Sequence, residues 1–460
     1  MREDAPLVPS MIRRLLDRLL ASRRGAAPRV HPRERHAMRN EQLSAAARTV
    51  TAKLQQAGFK AFIVGGAVRD LLLGIAPKDF DVATDATPEQ VKPLFRRAFI
   101  IGRRFRLVHV HVGNEVIEVS TFRAAQTGDS ATDEHGRLLS DNVYGTQAED
   151  ALRRDFTINA LYFDPATESV WDYVGGLTDI RARRLKLIGP PVTRYREDPV
   201  RMLRAVRLAA KLGLTIDARS DEPIARLAPL MQNVPPARLF DEMQKLLLSG
   251  HAVETLQSLR VHGLSHGLLP LLGVIVEQPL GQRFIDAALG GTDQRLRDGK
   301  PVSPAFLFAT LLWQRVLATW SEAKARGERP APALFAAMDA VLAAQAQQLA
   351  IPRRFEATMK EIWSLQPRFE QRAGARPARL LEQPRFRAAY DFLLLRAAAG
   401  EVPQALADWW TRFQDASLDE REVMLRPDEA PAKRRRGRGR RRSARPADAQ
   451  AVPDRLDESH

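Results

Sequence analysis

Two aspartates separated by one residue are the first candidates for chemistry. Asp79 and Asp81 lie in Lys78-Asp79-Phe80-Asp81-Val82, where the alternation predicts a strand with both carboxylates on one face. Carboxylates this close repel each other unless a cation lies between them, and oxygen ligands favour Mg²⁺ or Mn²⁺. Phosphoryl-transfer enzymes hold two metal ions in this way, one at the attacking oxygen and one at the leaving group. A solvated strand edge is the alternative interpretation.

A glycine pair ends the buried strand predicted at residues 61–64. Gly65 and Gly66 allow the backbone to approach a ligand, free N–H groups there could hold phosphate, and Arg69 adds a planar cation. An ordinary glycine-rich turn is the alternative, because neither the P-loop nor the dinucleotide fingerprint is present. The turn lies fourteen residues before the aspartate pair in one α/β unit, which favours the phosphate-binding interpretation.

A site for two metals usually requires a third carboxylate, and two residues qualify. Glu118 lies on a predicted strand and faces away from its apolar neighbours, so its side chain could point at the metals. Asp155 lies in Arg153-Arg154-Asp155-Phe156-Thr157-Ile158-Asn159-Ala160. Either could instead be a structural charge paired with nearby arginines, and spacing does not decide between them.

A cationic helix face follows. Glu197-Asp198-Pro199-Val200-Arg201 predicts a helix start, with Asp198 as the N-cap and Pro199 at the first helical position. Arg201, Arg204, Arg207 and Lys211 then recur every three or four residues and form one face. This face is either simply solvated or a wall of guanidinium groups that binds triphosphate and hydrogen-bonds base edges.

The elements that must position these residues change type along the chain. Mixed strands and helices are predicted to about residue 187, including a helix at 42–56 and a hairpin of strands 107–112 and 115–121. After Pro190-Pro191 the strand signals end, and helical periodicity continues to about residue 413. The sequence therefore predicts an α/β head with a mixed sheet and helices, followed by an all-α neck and body.

Composition sets the expected boundaries. We expect a disordered extension at 1–38, a catalytic head at 39–187, a helical neck at 188–270, a helical body at 271–425 and a disordered basic tail at 426–460. The extension is Arg-, Pro- and Ala-rich, and acidic residues argue against a transit peptide. We expect the neck to bind nucleotide and RNA, and the body to support RNA.

The charge balance favours a polyanionic partner. Lys and Arg number 71 against 55 Asp and Glu, for a net charge of +16. The chain contains no cysteine, which excludes disulfides, thiolate nucleophiles and cysteine-bound zinc. No apolar run approaches the ~20 residues that cross a bilayer, so we expect a soluble, cytoplasmic protein without membrane contact.

The tail carries a dense basic block. Its nine positive charges exceed half of the net +16, and such a block binds RNA backbone without sequence preference. A solubilising tail is the alternative. The block consists of Arg445 and the predicted RNA-binding residues Lys433, Arg434, Arg435, Arg436, Arg438, Arg440, Arg441 and Arg442.

Together the motifs resemble the bacterial-type class II nucleotidyltransferases, a family of poly(A) polymerases and tRNA CCA-adding enzymes, from about residue 40 to residue 213. The resemblance implies ATP as substrate, RNA 3′ ends as acceptors and two Mg²⁺ or Mn²⁺ ions. It implies that Asp79 and Asp81 are the metal ligands and that Asp155 completes the catalytic set. The nucleotide-binding residues that it implies are Gly65, Gly66, Arg69, Arg154, Asn159, Glu197, Asp198, Arg201, Arg204 and Arg207.

The choice between the two branches depends on residues 100–110. This segment resembles the poly(A) polymerase branch, and we expect Arg103, Arg104 and Arg106 to face solvent or RNA. A CCA-adding enzyme remains the first alternative. A catalytically inactive RNA-binding protein would require loss of Asp79 or Asp81, and a metal phosphohydrolase would require a paired His-Asp that the chain lacks.

Overall fold

A computed structural model describes residues 27–102, 106–124, 143–264, 279–347 and 349–425. Arg103, Arg104 and the basic tail lie outside these ranges, so the expectations for them stay predictions. No helix within the ranges is long and apolar enough to span a bilayer.

An eight-stranded mixed sheet forms the head. Its strand order is β1-β8-β7-β2-β3-β6-β5-β4, and β3 and β6 pair in parallel while the other neighbours are antiparallel. The strands are β1 (Arg29–His31), β2 (Ala61–Val64), β3 (Asp81–Thr84), β4 (Ala98–Ile101), β5 (Leu107–Val112), β6 (Glu115–Thr121), β7 (Leu161–Asp164) and β8 (Ser169–Asp172).

Short helices surround the sheet. The longest has Ser44 as N-cap, whose hydroxyl accepts from the Ala47 amide, and its apolar residues pack on the sheet. The head helices are α1 (Ala45–Gln56), α2 (Gly66–Leu72), α3 (Pro88–Val91), α4 (Gln147–Arg153) and α5 (Gly176–Arg181).

The N-terminal extension is ordered earlier than the sequence suggested. We expected disorder to residue 38, but β1 forms one edge of the sheet and pairs with β8, and Met38 is fully buried. The physical reason is long-range: Glu168, in the β7–β8 turn, binds the Arg33 side chain and the Asn40 amide. Such partners, distant in sequence, leave no local periodicity to detect.

Where the structure describes them, the neck and body are helical apart from Thr215–Ile216, which pairs in parallel with Arg184–Leu185. One continuous apolar core runs from Met38 in the head to Ala399 in the body. The predicted α/β head followed by helices is thus confirmed. The helices are α6 (Pro191–Glu197), α7 (Val200–Leu212), α8 (Ala218–Asp221), α9 (Pro223–Leu227), α10 (Pro236–Leu247), α11 (Ala252–Val261), α12 (Pro279–Arg297), α13 (Pro304–Ala325), α14 (Pro330–Ala346), α15 (Arg353–Leu365), α16 (Arg376–Leu381), α17 (Phe386–Ala398), α18 (Gln404–Asp415) and α19 (Leu418–Leu425).

Candidate active site

The parallel pairing of β3 and β6 places two carboxylates side by side. Asp81, the first residue of β3, is the register partner of Glu118 on β6. Directly paired residues project to the same face of a sheet, so both side chains line one cleft of ≈ 360 Å³. Of the two candidates for a third carboxylate, the one beside Asp81 is therefore Glu118.

Asp79 is not on the strand that the sequence predicted. β3 begins at Asp81, and Asp79 lies exposed in the preceding loop. The β-alternation of residues 78–82 suggested a longer strand, but β2 pairs with β3 only over residues 81–84. Asp79 still lies near enough for its charge to raise the pKa of Asp81.

The electrostatics of the carboxylate cluster favour a cation. The Asp81 side chain opens into the cleft, and its partial removal from water, together with the charges of Glu118 and Asp79, raises its pKa to about 6. Arg154 acts in the opposite direction but does not offset these effects. The protein alone therefore does not supply enough positive charge to stabilise the ionised form of Asp81.

Arg154 lines the cleft, and two buried side chains bind its guanidinium. Its Nε and Nη2 donate to Oδ2 of Asp150 at 3.1 and 3.0 Å, and Nε also donates to the Tyr162 hydroxyl at 3.2 Å. The Tyr162 hydroxyl in turn donates to the same Asp150 oxygen at 2.7 Å. Burial disfavours the charge of Arg154, yet Tyr162 and Asp150 keep its pKa above the usual range.

The predicted glycine turn is present and packs against Arg154. Gly65 has φ +75° and ψ −126°, a conformation that L side chains rarely adopt, and a Cβ there would lie 3.4 Å from Nη1 of Arg154. Gly66 begins α2. Arg69 is buried and donates to Asp70 and to Oδ1 of Asn159, so it braces the turn from inside. Direct contact of these residues with ATP stays a prediction.

Asp155 lies in a different environment from Asp81. One of its oxygens accepts from the Phe156 amide at 2.8 Å and from Asn159 at 3.0 Å. The other accepts from Nε and Nη2 of Arg204 at 2.8 and 2.5 Å. Burial opposes its ionisation, but Arg204 and these hydrogen bonds lower its pKa to about 2. Asp155 thus joins the head to α7, and its catalytic role stays a prediction.

The arginines of α7 share one face as predicted, although the helix begins at Val200. The Val200 amide donates to Oδ1 of Asp198, so the predicted N-cap side chain does bind the helix start. Arg201 binds Glu197 at 3.0 Å, and Arg207 binds the buried Glu242 at 2.7 Å. The three arginines of the face are therefore held by specific partners and are not simply solvated.

A second cavity of ≈ 480 Å³ lies between head and neck. Arg154 borders both this cavity and the carboxylate cleft. The wall opposite α7 comes from α10, whose lining residues follow no recognised sequence motif and were not predicted. The residues that line this cavity are Arg154, Asp155, Asp198, Val200, Arg201, Arg204, Arg238, Asp241, Glu242 and Lys245.

Two further residues support the site, and only one of them leaves a signal in the sequence. Asp150 precedes Arg154 by four positions near the end of α4, a spacing that brings a carboxylate and a guanidinium together. Arg238 binds Asp198 at 2.6 Å across 40 residues, and no local signal predicts that pair. Of the three arginines expected to face solvent or RNA, Arg106 binds the exposed Glu89.

Comparison with known protein families covers most of the chain. The poly A polymerase head domain matches residues 61–186, the probable RNA and SrmB- binding site of polymerase A matches 213–274, and the polymerase A arginine-rich C-terminus matches 326–443. Poly(A) polymerase I of Salmonella typhi is 45% identical over 456 residues, which is 95% of this chain and 98% of that protein. The chain belongs to the poly(A) polymerase family. The predicted family is confirmed.

Further relatives show how similar the chain is to each of the two branches. Poly(A) polymerase I of Escherichia coli O6:H1 is 47% identical over 90% of this chain and 92% of that protein. A CCA-adding enzyme of Bacillus pumilus is 39% identical, but over only 42% of this chain and 47% of that protein. The crystal structure of the Bacillus stearothermophilus CCA-adding enzyme with CTP is 26% identical, with a TM-score of 0.53 and 82% of each chain covered. The CCA-adding branch is thus a distant relative.

Proposed function

We propose that this nucleotidyltransferase transfers AMP from ATP to the 3′ hydroxyl of RNA and releases pyrophosphate, without a template. The observation that carries the proposal is that Arg154 borders two spaces: the carboxylate cleft at Asp81 and Glu118, and the neck cavity, which is lined by five basic and four acidic side chains. A triphosphate requires positive charge, and the reacting phosphorus requires a cation-binding carboxylate cluster beside it.

Asp79, Asp81 and Glu118 are the residues that we propose to hold divalent metal ions, Mg²⁺ or Mn²⁺. The raised pKa of Asp81 fits this role, because a cation would relieve the repulsion among the carboxylates. Bound there, the metals would activate the 3′ hydroxyl and stabilise charge on the leaving pyrophosphate. In the described ranges, no group of three or more His, Cys, Asp or Glu side chains is gathered tightly enough to form a complete site.

The arginines supply the fixed positive charge. Arg154 lies beside Gly65 and near Asp81, where it can hold the triphosphate between the glycine turn and the carboxylates. Arg201 and Lys245 line the neck cavity from opposite walls and extend this charge away from the reacting centre. Preorganised cations of this kind stabilise charge that develops in the transition state.

Base recognition is proposed for Asp198 and Arg201. A carboxylate accepts from the exocyclic amine of adenine, and a guanidinium donates to its ring nitrogen. Arg238 and the Val200 amide hold the Asp198 carboxylate, and the Arg194 carbonyl and Glu197 hold Arg201. Cytosine presents the same donor and acceptor, so hydrogen bonding alone does not select adenine.

The direct test is incubation of the purified protein with a labelled RNA and each nucleoside triphosphate separately. We expect long, heterogeneous tails from ATP and Mg²⁺ on an arbitrary RNA 3′ end. Efficient CTP incorporation on tRNA that lacks its 3′ end, with arrest after a short set sequence, would instead assign the chain to CCA addition.

A further inference from the structure

Asp81 and Glu118 begin a row of directly paired residues that crosses four neighbouring strands and ends at the edge of the sheet. The register aligns Asp81 with Glu118, Glu118 with His109, and His109 with Phe99 on the edge strand β4. Side-chain distances agree that the row shares one face, since Nε2 of His109 lies 3.8 Å from Glu118 and the ring of His111 meets Phe99 edge-on at 5.5 Å. The catalytic face of the sheet therefore continues as far as Phe99.

The two faces of these strands differ sharply in exposure. The residues between the row positions, Val108, Val110, Ile117 and Val119, are at most 1% exposed because they face the core. On the catalytic face, Phe99 is 54% exposed and Ile101 is 41% exposed. An exposed aromatic side chain on a sheet face is the kind of surface on which single-stranded nucleic acid bases stack.

Positive charge borders this face. Lys92, Arg96 and Arg97 are exposed in the segment that leads into β4, and the Arg97 carbonyl accepts from the His111 amide. Within the part of the chain that the structure describes, none of the three side chains forms a salt bridge. Unpaired cations beside an aromatic platform match the alternation of phosphates and bases along an RNA strand.

We propose that Phe99 and His111 form a stacking site for a base of the RNA acceptor, upstream of the reacting 3′ hydroxyl. The proposal rests on the proposed transfer to RNA. Three strand spacings of about 4.8 Å separate the Phe99 and Asp81 backbones, roughly 14 Å in all. The base at Phe99 thus precedes the terminal nucleotide, while continuity of the row keeps the 3′ end directed at Asp81 and Glu118.

The test combines a variant with a scan of the acceptor. Phe99→Ala and Phe99→Trp are compared by KM for a short oligoadenylate, with kcat and the KM for ATP measured in parallel. Val30→Ala is the control, because Val30 on β1 is 48% exposed and lies at the opposite edge of the same sheet. A set of RNAs with one abasic nucleotide at successive positions from the 3′ end is extended by each protein.

Phe99→Ala should raise the KM for RNA at least about fivefold, and Phe99→Trp should restore it, because stacking depends on the aromatic ring. One abasic position should weaken RNA use by the unmodified protein but not by Phe99→Ala. An unchanged KM for RNA, an equal loss in Val30→Ala, or an abasic penalty that persists in Phe99→Ala would overturn the stacking site. The proposed function fails separately, if the unmodified protein extends no RNA with ATP.

Discussion

Arg204 of α7 binds Asp155 of the head through two nitrogens on one carboxylate oxygen, at 2.8 and 2.5 Å. The other oxygen binds Asn159, whose amide oxygen accepts from Arg69. A chain of hydrogen bonds therefore runs from the glycine turn to the neck. This arrangement uses Asp155 as a connector and leaves Glu118 as the carboxylate beside Asp81.

The first prediction separates these two acidic residues. Glu118→Gln should lower kcat about a hundredfold or more and recover in part at high Mg²⁺, because it weakens the proposed metal site. Asp155→Asn should lower activity without rescue by metal, since it loosens Arg204. Rates are measured across a Mg²⁺ titration. Rescue of Asp155→Asn, with Glu118→Gln indifferent to metal, would reverse the two roles.

The second prediction concerns Asp81 and pH. Its folded-state pKa of about 6 lies above the ordinary aspartate value of 3.8, so the folded protein binds the extra proton between these values. The contribution of Asp81 to stability should therefore fall as pH rises from about 4 to about 6. Asp81→Asn should remove this loss and stabilise the metal-free protein at pH 8, on the order of 1 kcal/mol or less because solvent screens the group.

Thermal unfolding from pH 4 to pH 8 with a chelator measures the effect. Asp339→Asn serves as the control, because its carboxylate pairs with Lys360 on the surface of the body. Mg²⁺ should stabilise the unmodified protein at pH 8 but not Asp81→Asn. Equal metal stabilisation of both would exclude Asp81 as a ligand. Turnover by Asp81→Asn should be lost at every pH.

The third prediction tests the support behind Arg154. Tyr162→Phe removes the hydroxyl that binds both Asp150 and Arg154 but keeps the ring, whose centre lies 5.3 Å from the guanidinium carbon. Loss of hydrogen bonds to a charged network should raise the KM for ATP about tenfold. Tyr390→Phe, which removes a hydroxyl bound to Thr411 in the body, should leave that KM unchanged. Equal behaviour of the two variants would contradict a positioning role.

The fourth prediction concerns the basic tail. Removal of residues 433–460 should weaken RNA binding and flatten its salt dependence, by about 0.7 in the log-log slope for each phosphate that the tail neutralises. Extension of saturating RNA should survive. Binding titrations at several salt concentrations provide the measurement, and an unchanged slope would show that the tail does not bind RNA.

Local sequence patterns predict the helices and strands well, whereas the candidate active site is formed by pairing between residues that are distant in the sequence. The hairpin of β5 and β6 matches its predicted bounds because Gly113, at φ +60°, and the flanking alternation are local signals. The choice of Glu118 depends on a parallel register between residues 37 positions apart. The Arg204–Asp155 pair spans 49 positions. No periodicity along the chain encodes such distances.

The apolar core that runs without a break from Met38 to Ala399 has a consequence for dissection of the molecule. A head cut from the neck after residue 187 would divide this core between two fragments and expose apolar surface on both. Neither fragment should remain in solution as a monomer. A loss of activity in either truncated fragment would therefore reflect poor solubility and would not identify catalytic residues.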